Sequence, residues 1–174
     1  MMIVLIGYMG SGKSTVGRVF AQKLDTTFTD LDERIENESN TTISELFKTH
    51  GTIHFRKLES KVLRDFVENN SEGVLALGGG TPCYANNMDF LNASKVITIY
   101  LKLSIPELVK RLRSQKAHRP LIQNISDAEL PEFIGKHLFE RSPFYNQAQY
   151  TINCNYKTVE EVVLELENLL RQVD

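Results

Sequence analysis

The stretch Met2-Ile3-Val4-Leu5-Ile6, followed without a break by Gly7-Tyr8-Met9-Gly10-Ser11-Gly12-Lys13-Ser14, decides the fold. The unbroken apolar run reads as a strand buried on both faces. The next eight residues match G-x-x-x-x-G-K-[ST] without a mismatch, and Val16, Val19, Phe20 and Leu24 then recur at helical spacing from about residue 13 to 24. A strand, a glycine turn and a helix start, in that order, are what phosphate binding by main-chain amides requires. The N–H groups converge, the helix dipole adds partial positive charge, Lys13 reaches the terminal phosphates, and the Ser14 hydroxyl suits Mg²⁺. With glycine at about 7% of residues, a chance match in a chain this long is on the order of one percent.

Working outward, short apolar runs at residues 27–30, 74–77, 96–101 and 150–153 alternate with helical patterns. Thr42 with Glu45, Ser104 with Glu107, Ser126 with Glu129 and Thr158 with Glu161 have capping-box spacing ahead of those helices. Phe55, Leu58, Val62 and Phe66 form one helical stripe, and Val159, Val162, Val163, Leu166, Leu169 and Leu170 give the last helix a broad apolar face. The pattern predicts a three-layer α/β/α sandwich on a five-stranded parallel sheet, of the P-loop type, in one domain over residues 1–174. Ligands of such sheets bind beyond the carboxyl ends of the strands, where the glycine loop, Asp30 with Asp32, and a second glycine cluster, Gly78-Gly79-Gly80, all fall. The polar segment of about residues 113–126, RSQKAHRPLIQNIS, interrupts the rhythm and reads as a mobile lid.

With 174 residues, 20 basic against 22 acidic side chains and a formal charge of −2, the composition excludes a strongly basic nucleic-acid binder and an acidic disordered chain. No apolar run reaches the roughly 18 residues of a membrane helix. Two cysteines, Cys83 and Cys154, are too few for a disulfide framework, and the start MMIVLIG lacks signal-peptide character. A reduced cytoplasmic protein is the expectation, with no nucleic-acid or membrane partner. The near-neutral charge leans to a monomer.

Asp30 and Asp32 stand as D-x-D at the end of the second strand, a spacing that in extended chain puts both side chains on one face. One carboxylate is a candidate contact to the Mg²⁺ held by Ser14, leaving the other for substrate. Arg56, Arg111, Arg113, Arg119 and Arg141 are candidates for bidentate recognition of carboxylate or phosphate. Against that, Arg56 has Glu59 or Glu45 within pairing distance in sequence, Arg141 sits where a helix would end, and Asp32 has the option of capping the segment ERIEN. His50, His54, His118 and His137 show no metal-ligand spacing with the cysteines, and Cys154 reads as core.

An ordered series of motifs resembles the shikimate kinase family over nearly the whole chain. These are GYMGSGKSTVGR at 7–18, TDLDERIE at 29–36, ISELFKTHG…FRKLE from 43 to 59, LALGGGTP at 75–82, RPL at 119–121 and ERSPFY…A ending at Ala148. The resemblance implies transfer of the γ-phosphate of ATP, with Mg²⁺, to the 3-hydroxyl of shikimate. It implies that Gly10, Ser11, Gly12, Lys13, Ser14 and Thr15 cradle the ATP phosphates, with Ser14 and Asp30 at the metal. Asp32 would bind the shikimate hydroxyls and serve as base. Arg56 and Arg141 would hold the carboxylate, Gly78, Gly79 and Gly80 would approach the ring, and Arg119 would be the lid arginine that moves onto the phosphates. Lys13, Asp32 and Arg119 are then the catalytic group. Thr52 departs from the family's usual acidic residue after Gly51, with local helix capping as a substitute role, and the adenine-side arginine is either Arg111 or Arg113.

A kinase for another small polyol or a nucleoside phosphate remains a rival. A GTPase-type switch is disfavoured, because the chain has neither N-K-x-D nor a D-x-x-G after the first loop.

Overall fold

The computed structural model describes residues 1–173, apart from the side chain of His118. Five strands form one sheet: β1 (Met2–Ile6), β2 (Phe28–Asp30), β3 (Gly73–Ala76), β4 (Val96–Lys102) and β5 (Tyr150–Asn153). Their order across the sheet is β2-β3-β1-β4-β5, and every pairing is parallel. Seven α-helices connect or follow them: α1 (Lys13–Lys23), α2 (Leu31–Ser39), α3 (Ile43–Asn69), α4 (Asn87–Ala93), α5 (Ile105–Arg113), α6 (Leu130–Tyr145) and α7 (Val159–Val173).

The chain crosses the sheet in one direction from β1 to β2 and in the other at every later step. Right-handed crossovers therefore put α1 on one face and α2 to α6 on the other. The amphipathic α7 closes the first face against α1, as its Val162, Val163, Leu166 and Leu170 are buried. The expected three layers are present. β1 lies in the centre with all five residues buried, and the chain reverses its direction of winding on either side of it. The carboxyl end of β1 is thus the switch point of the sheet, where ligands of this architecture bind.

Local chemistry sets most helix starts. Thr158 and Glu161 cap α7 reciprocally, the Glu161 N–H donating to Thr158 Oγ1 at 3.2 Å and the Thr158 N–H to Glu161 Oε2 at 2.7 Å. Thr42 Oγ1 accepts from the Glu45 N–H at 3.2 Å, and the Ile43 N–H donates to Glu36 Oε1 at 2.9 Å. Ser126 and Glu129 close their box one turn ahead of α6. Inside α3, Gly51 has φ 76° and ψ 173°, which divides the helix into two pieces. A non-helical residue that opens a helix occupies the cap position, so Gly51 caps the second piece and Thr52 is its exposed first residue. Thr52 does not take the capping role expected of it.

The segment between α5 and α6 is more anchored than its polar composition suggests. A 3₁₀ turn over Lys116–His118 leads into Ile122, which is fully buried, while the neighbouring Leu121 is exposed. Cys154 is buried just beyond β5, and both cysteines are free thiols.

Candidate active site

The glycine loop turns immediately after β1. Gly10 (φ 78°) and Gly12 (φ 92°) adopt left-handed backbone, and Gly12 caps α1 without a side chain. The Ser11 N–H is used within the loop, on the Tyr8 carbonyl at 3.1 Å. The amides of Gly12 to Thr15, at the start of α1, are the ones a helix leaves for a ligand. Lys13 Nζ donates to the carbonyls of Gly7 at 2.9 Å and Tyr8 at 3.0 Å, at the mouth of the turn. Burial pushes the Lys13 ammonium down to about 8, against the pull of Asp32 and Asp30. Ser11 Oγ is buried with no hydrogen-bond partner among the described residues. An orphaned hydroxyl beside a buried lysine at a helix start fits a phosphate group.

Ser14 Oγ donates to Asp30 Oδ2 at 2.6 Å, so the first helix and the end of β2 meet through two hard oxygen donors suited to Mg²⁺. The D-x-D geometry differs from expectation. β2 stops at Asp30, whose Oδ1 accepts from the Asp32 N–H at 3.0 Å and so caps α2, and Asp32 is already in the first helical turn. Asp30, not Asp32, is the cap. The two carboxylates reach the same site by a strand-to-helix turn rather than by strand alternation. Asp32 is pushed up to about 6, chiefly by burial and then by the Asp30 and Glu59 charges, with Lys13 opposing.

The glycine triplet follows β3, and the side chains of the site approach its bare backbone closely. A Cβ on Gly78 would lie 2.8 Å from Asp32 Oδ1, one on Gly79 3.6 Å from Arg141 Nη1, and one on Gly80 2.8 Å from Arg56 Nη2. Three functional side chains, from α2, α6 and α3, thus converge on one strip of bare backbone. Arg56 stacks on Tyr84, its guanidinium 4.1 Å from the ring centroid, and its Nη1 donates to Glu59 Oε2 at 2.8 Å. Its partner is Glu59 and not Glu45. Arg141 lies within α6, four residues before its end, with its side chain buried over the Tyr8 ring, and among the described residues it pairs with no carboxylate. Arg141 is thus not a helix-terminal charge, the alternative its place in the sequence offered.

Arg119 donates through Nε and Nη2 to Gln115 Oε1 at 3.1 and 2.9 Å. Its charge is close enough to Lys13 to depress that lysine further. Arg111 Nη1 lies 3.7 Å from the Cβ position of Gly12, while Arg113 is exposed at the end of α5. Of the two candidates left open by the sequence, Arg111 is the one beside the loop.

Several contacts of the site have no signal in the local sequence pattern. The Tyr145 hydroxyl donates to the Gly79 carbonyl at 2.5 Å, and Tyr8 Oη lies 2.9 Å from His137 Nδ1. Glu59, almost fully buried, receives both Arg56 and the Thr81 hydroxyl. These contacts join residues 66 and 129 positions apart, a separation no local pattern records. Among the described residues no cluster of three His, Cys, Asp or Glu side chains is placed to hold a metal, and the side chain of His118 lies outside them. No helix among them is long and apolar enough to cross a membrane.

Comparison with known proteins identifies the family. The shikimate kinase family model matches residues 9–171. A shikimate kinase from Flavobacterium johnsoniae is 44% identical over 168 residues, covering 97% of this chain and 98% of that protein. The crystal structure of shikimate kinase from Bacteroides thetaiotaomicron superposes with a TM-score of 0.91 at 40% identity, covering 98% of each chain. The enzyme from Acinetobacter baumannii, in complex with shikimate, gives 0.88 at 32% identity and covers 99% of this chain and 94% of that one. The deoxyadenosine kinase of M. mycoides, at 0.62 and 21% identity, shares the fold alone. This chain belongs to the shikimate kinase family, ATP-dependent kinases that use Mg²⁺ and phosphorylate a hydroxyl of shikimate.

Proposed function

We propose that this chain transfers the γ-phosphoryl group of ATP to the 3-hydroxyl of shikimate, with the substrate carboxylate held between Arg141 and Arg56. The observation that carries the reading is Arg141 itself: a buried guanidinium beside Gly79 with no carboxylate partner among the described residues. A buried unpaired cation is costly unless an anion completes it. Arg56 supplies the second fork, already oriented by Glu59, and its Nε is buried without a partner among the described residues. Planar guanidinium groups suit a ring carboxylate.

Asp32, on the same strip of bare backbone, orients the hydroxyl and accepts its proton as the oxygen attacks phosphorus. A carboxyl near 6 is ionised at neutral pH and still basic enough for a late transfer. The bond from phosphorus to the β,γ-bridging oxygen breaks, and ADP leaves with the electron pair. Lys13 and the amides of Gly12 to Thr15 hold the phosphates, while Ser14 and Asp30 hold Mg²⁺. When bound, the ion neutralises phosphate charge. Arg119 exchanges Gln115 for the phosphates as the 113–126 segment closes and excludes water, which would otherwise hydrolyse ATP.

The test is ADP release with ATP and Mg²⁺ in the presence of shikimate, shikimate carboxamide, other polyols and nucleoside monophosphates. Shikimate is expected to accelerate release well beyond the rest. A polyol or nucleotide that outperforms it would replace this reading with a kinase of another acceptor.

A further inference from the structure

Behind Arg56 lies a closed ring of hydrogen bonds that phosphoryl transfer itself does not require. Thr81 Oγ1 donates to Glu59 Oε1 at 2.7 Å, and the other oxygen of that carboxylate receives Arg56. The Thr81 carbonyl accepts from Asn87 Nδ2 at 2.9 Å, and Asn87 Oδ1 accepts from Ser60 Oγ at 2.8 Å. Ser60 follows Glu59 in α3, which closes the circuit through the chain. All four residues are buried, with Thr81 and Asn87 at 0% exposure.

We propose that Thr81 and Asn87 are positioning residues, and that the circuit Glu59–Thr81–Asn87–Ser60 fixes where Arg56 meets the substrate carboxylate. Glu59 aims Arg56, but a carboxylate with one free oxygen turns about its terminal torsion. The Thr81 hydroxyl occupies the second oxygen and removes that freedom. Asn87 in turn ties the Thr81 carbonyl to Ser60. The wall formed by Gly78, Gly79 and Gly80 and the helix carrying Arg56 are thereby held in one register. Low surrounding polarity strengthens each of these bonds and makes a partial circuit costly. Two well-aimed donors need such support, because a displacement of about 1 Å at a binding fork is enough to lose much of its effect.

The inference rests on the shikimate reading above. Its test is the ratio of kcat/KM for shikimate to that for shikimate carboxamide, which isolates recognition of the negative charge, in the wild type, Thr81→Val and Thr81→Ser. Valine keeps the shape and deletes the hydroxyl. The ratio is expected to fall about tenfold in Thr81→Val and to return to within about twofold of the wild type in Thr81→Ser. Ser60→Ala opens the circuit at its far side and is expected to lower the ratio by a smaller factor, so the proposal stays testable if Thr81→Val fails to fold. Equal losses on both acceptors, or an unchanged ratio in Thr81→Val and Ser60→Ala, would overturn the positioning role alone. A wild type that does not prefer shikimate over its carboxamide would overturn the carboxylate reading and this inference with it.

Discussion

Arg56 and Gly80, which are 24 residues apart, meet so closely that a methyl group on the glycine would stand 2.8 Å from Nη2 of the arginine. The obstructing atom is the far end of a flexible side chain, so the fold accommodates alanine by moving the guanidinium. Gly80→Ala is expected to raise KM for shikimate about tenfold and to lower Tm, because the displaced guanidinium leaves the buried Glu59 carboxylate without its ion-pair partner. Gly78→Ala presses instead on Asp32 Oδ1, also at 2.8 Å, and is expected to lower kcat. Steady-state kinetics on both variants separate the two effects.

Asp32 sets the acid limb of activity. The base must be ionised, and burial with the Asp30 and Glu59 charges raises its carboxyl to about 6, so kcat/KM falls as pH drops through that region. Asp32→Asn is expected to lower kcat at least about a hundredfold and to abolish this limb. Stability moves the opposite way. With the native carboxyl above its ordinary value of 3.8, the folded state binds the proton more tightly, and stability falls as pH rises from about 4 to 6. Asp32→Asn therefore melts higher than the wild type at pH 8 and close to it at pH 3.5, which thermal melts at the two pH values check.

The Tyr145 hydroxyl ties α6, the helix of Arg141, to the Gly79 carbonyl. Tyr145→Phe removes the donor from that half-buried carbonyl. The variant is expected to lose about 1 kcal/mol, lowering Tm by about 3 °C, and to raise KM for shikimate more than KM for ATP.

Arg111 and Arg113 part company at the nucleotide. Arg111 lies against the glycine loop and bonds Glu107 at 3.2 Å, whereas Arg113 is exposed. Arg111→Ala is expected to raise KM for ATP about tenfold and Arg113→Ala to change it less than about twofold. Equal effects would remove the distinction.

The parts of the site legible in sequence are those whose geometry is local. Strand, glycine turn and lysine lie within a dozen residues, so spacing alone specifies the loop. Asp30 and Asp32 are legible as a pair, but their geometry is not, because the chain turns into α2 directly after Asp30, which caps that helix, instead of staying extended through Asp32. Arg56 and Arg141 come together only through the packing of α3 and α6 around the glycine triplet, and periodicity carries no trace of that meeting. The resemblance to known kinases identifies them where spacing does not. Thr81, Asn87 and Tyr145 look like ordinary polar residues until the fold buries them against one another. Ile122 shows the same limit: the few apolar residues of that polar stretch give no period, and nothing in the spacing tells buried Ile122, which anchors the segment in the core, from exposed Leu121.

The most direct test of the whole account is ³¹P NMR of the protein with MgATP and shikimate, which follows the transferred phosphorus itself. The account predicts one new phosphomonoester resonance that grows in step with ADP and vanishes in Lys13→Met. Release of inorganic phosphate without a monoester, or no change in the ATP resonances, would contradict it.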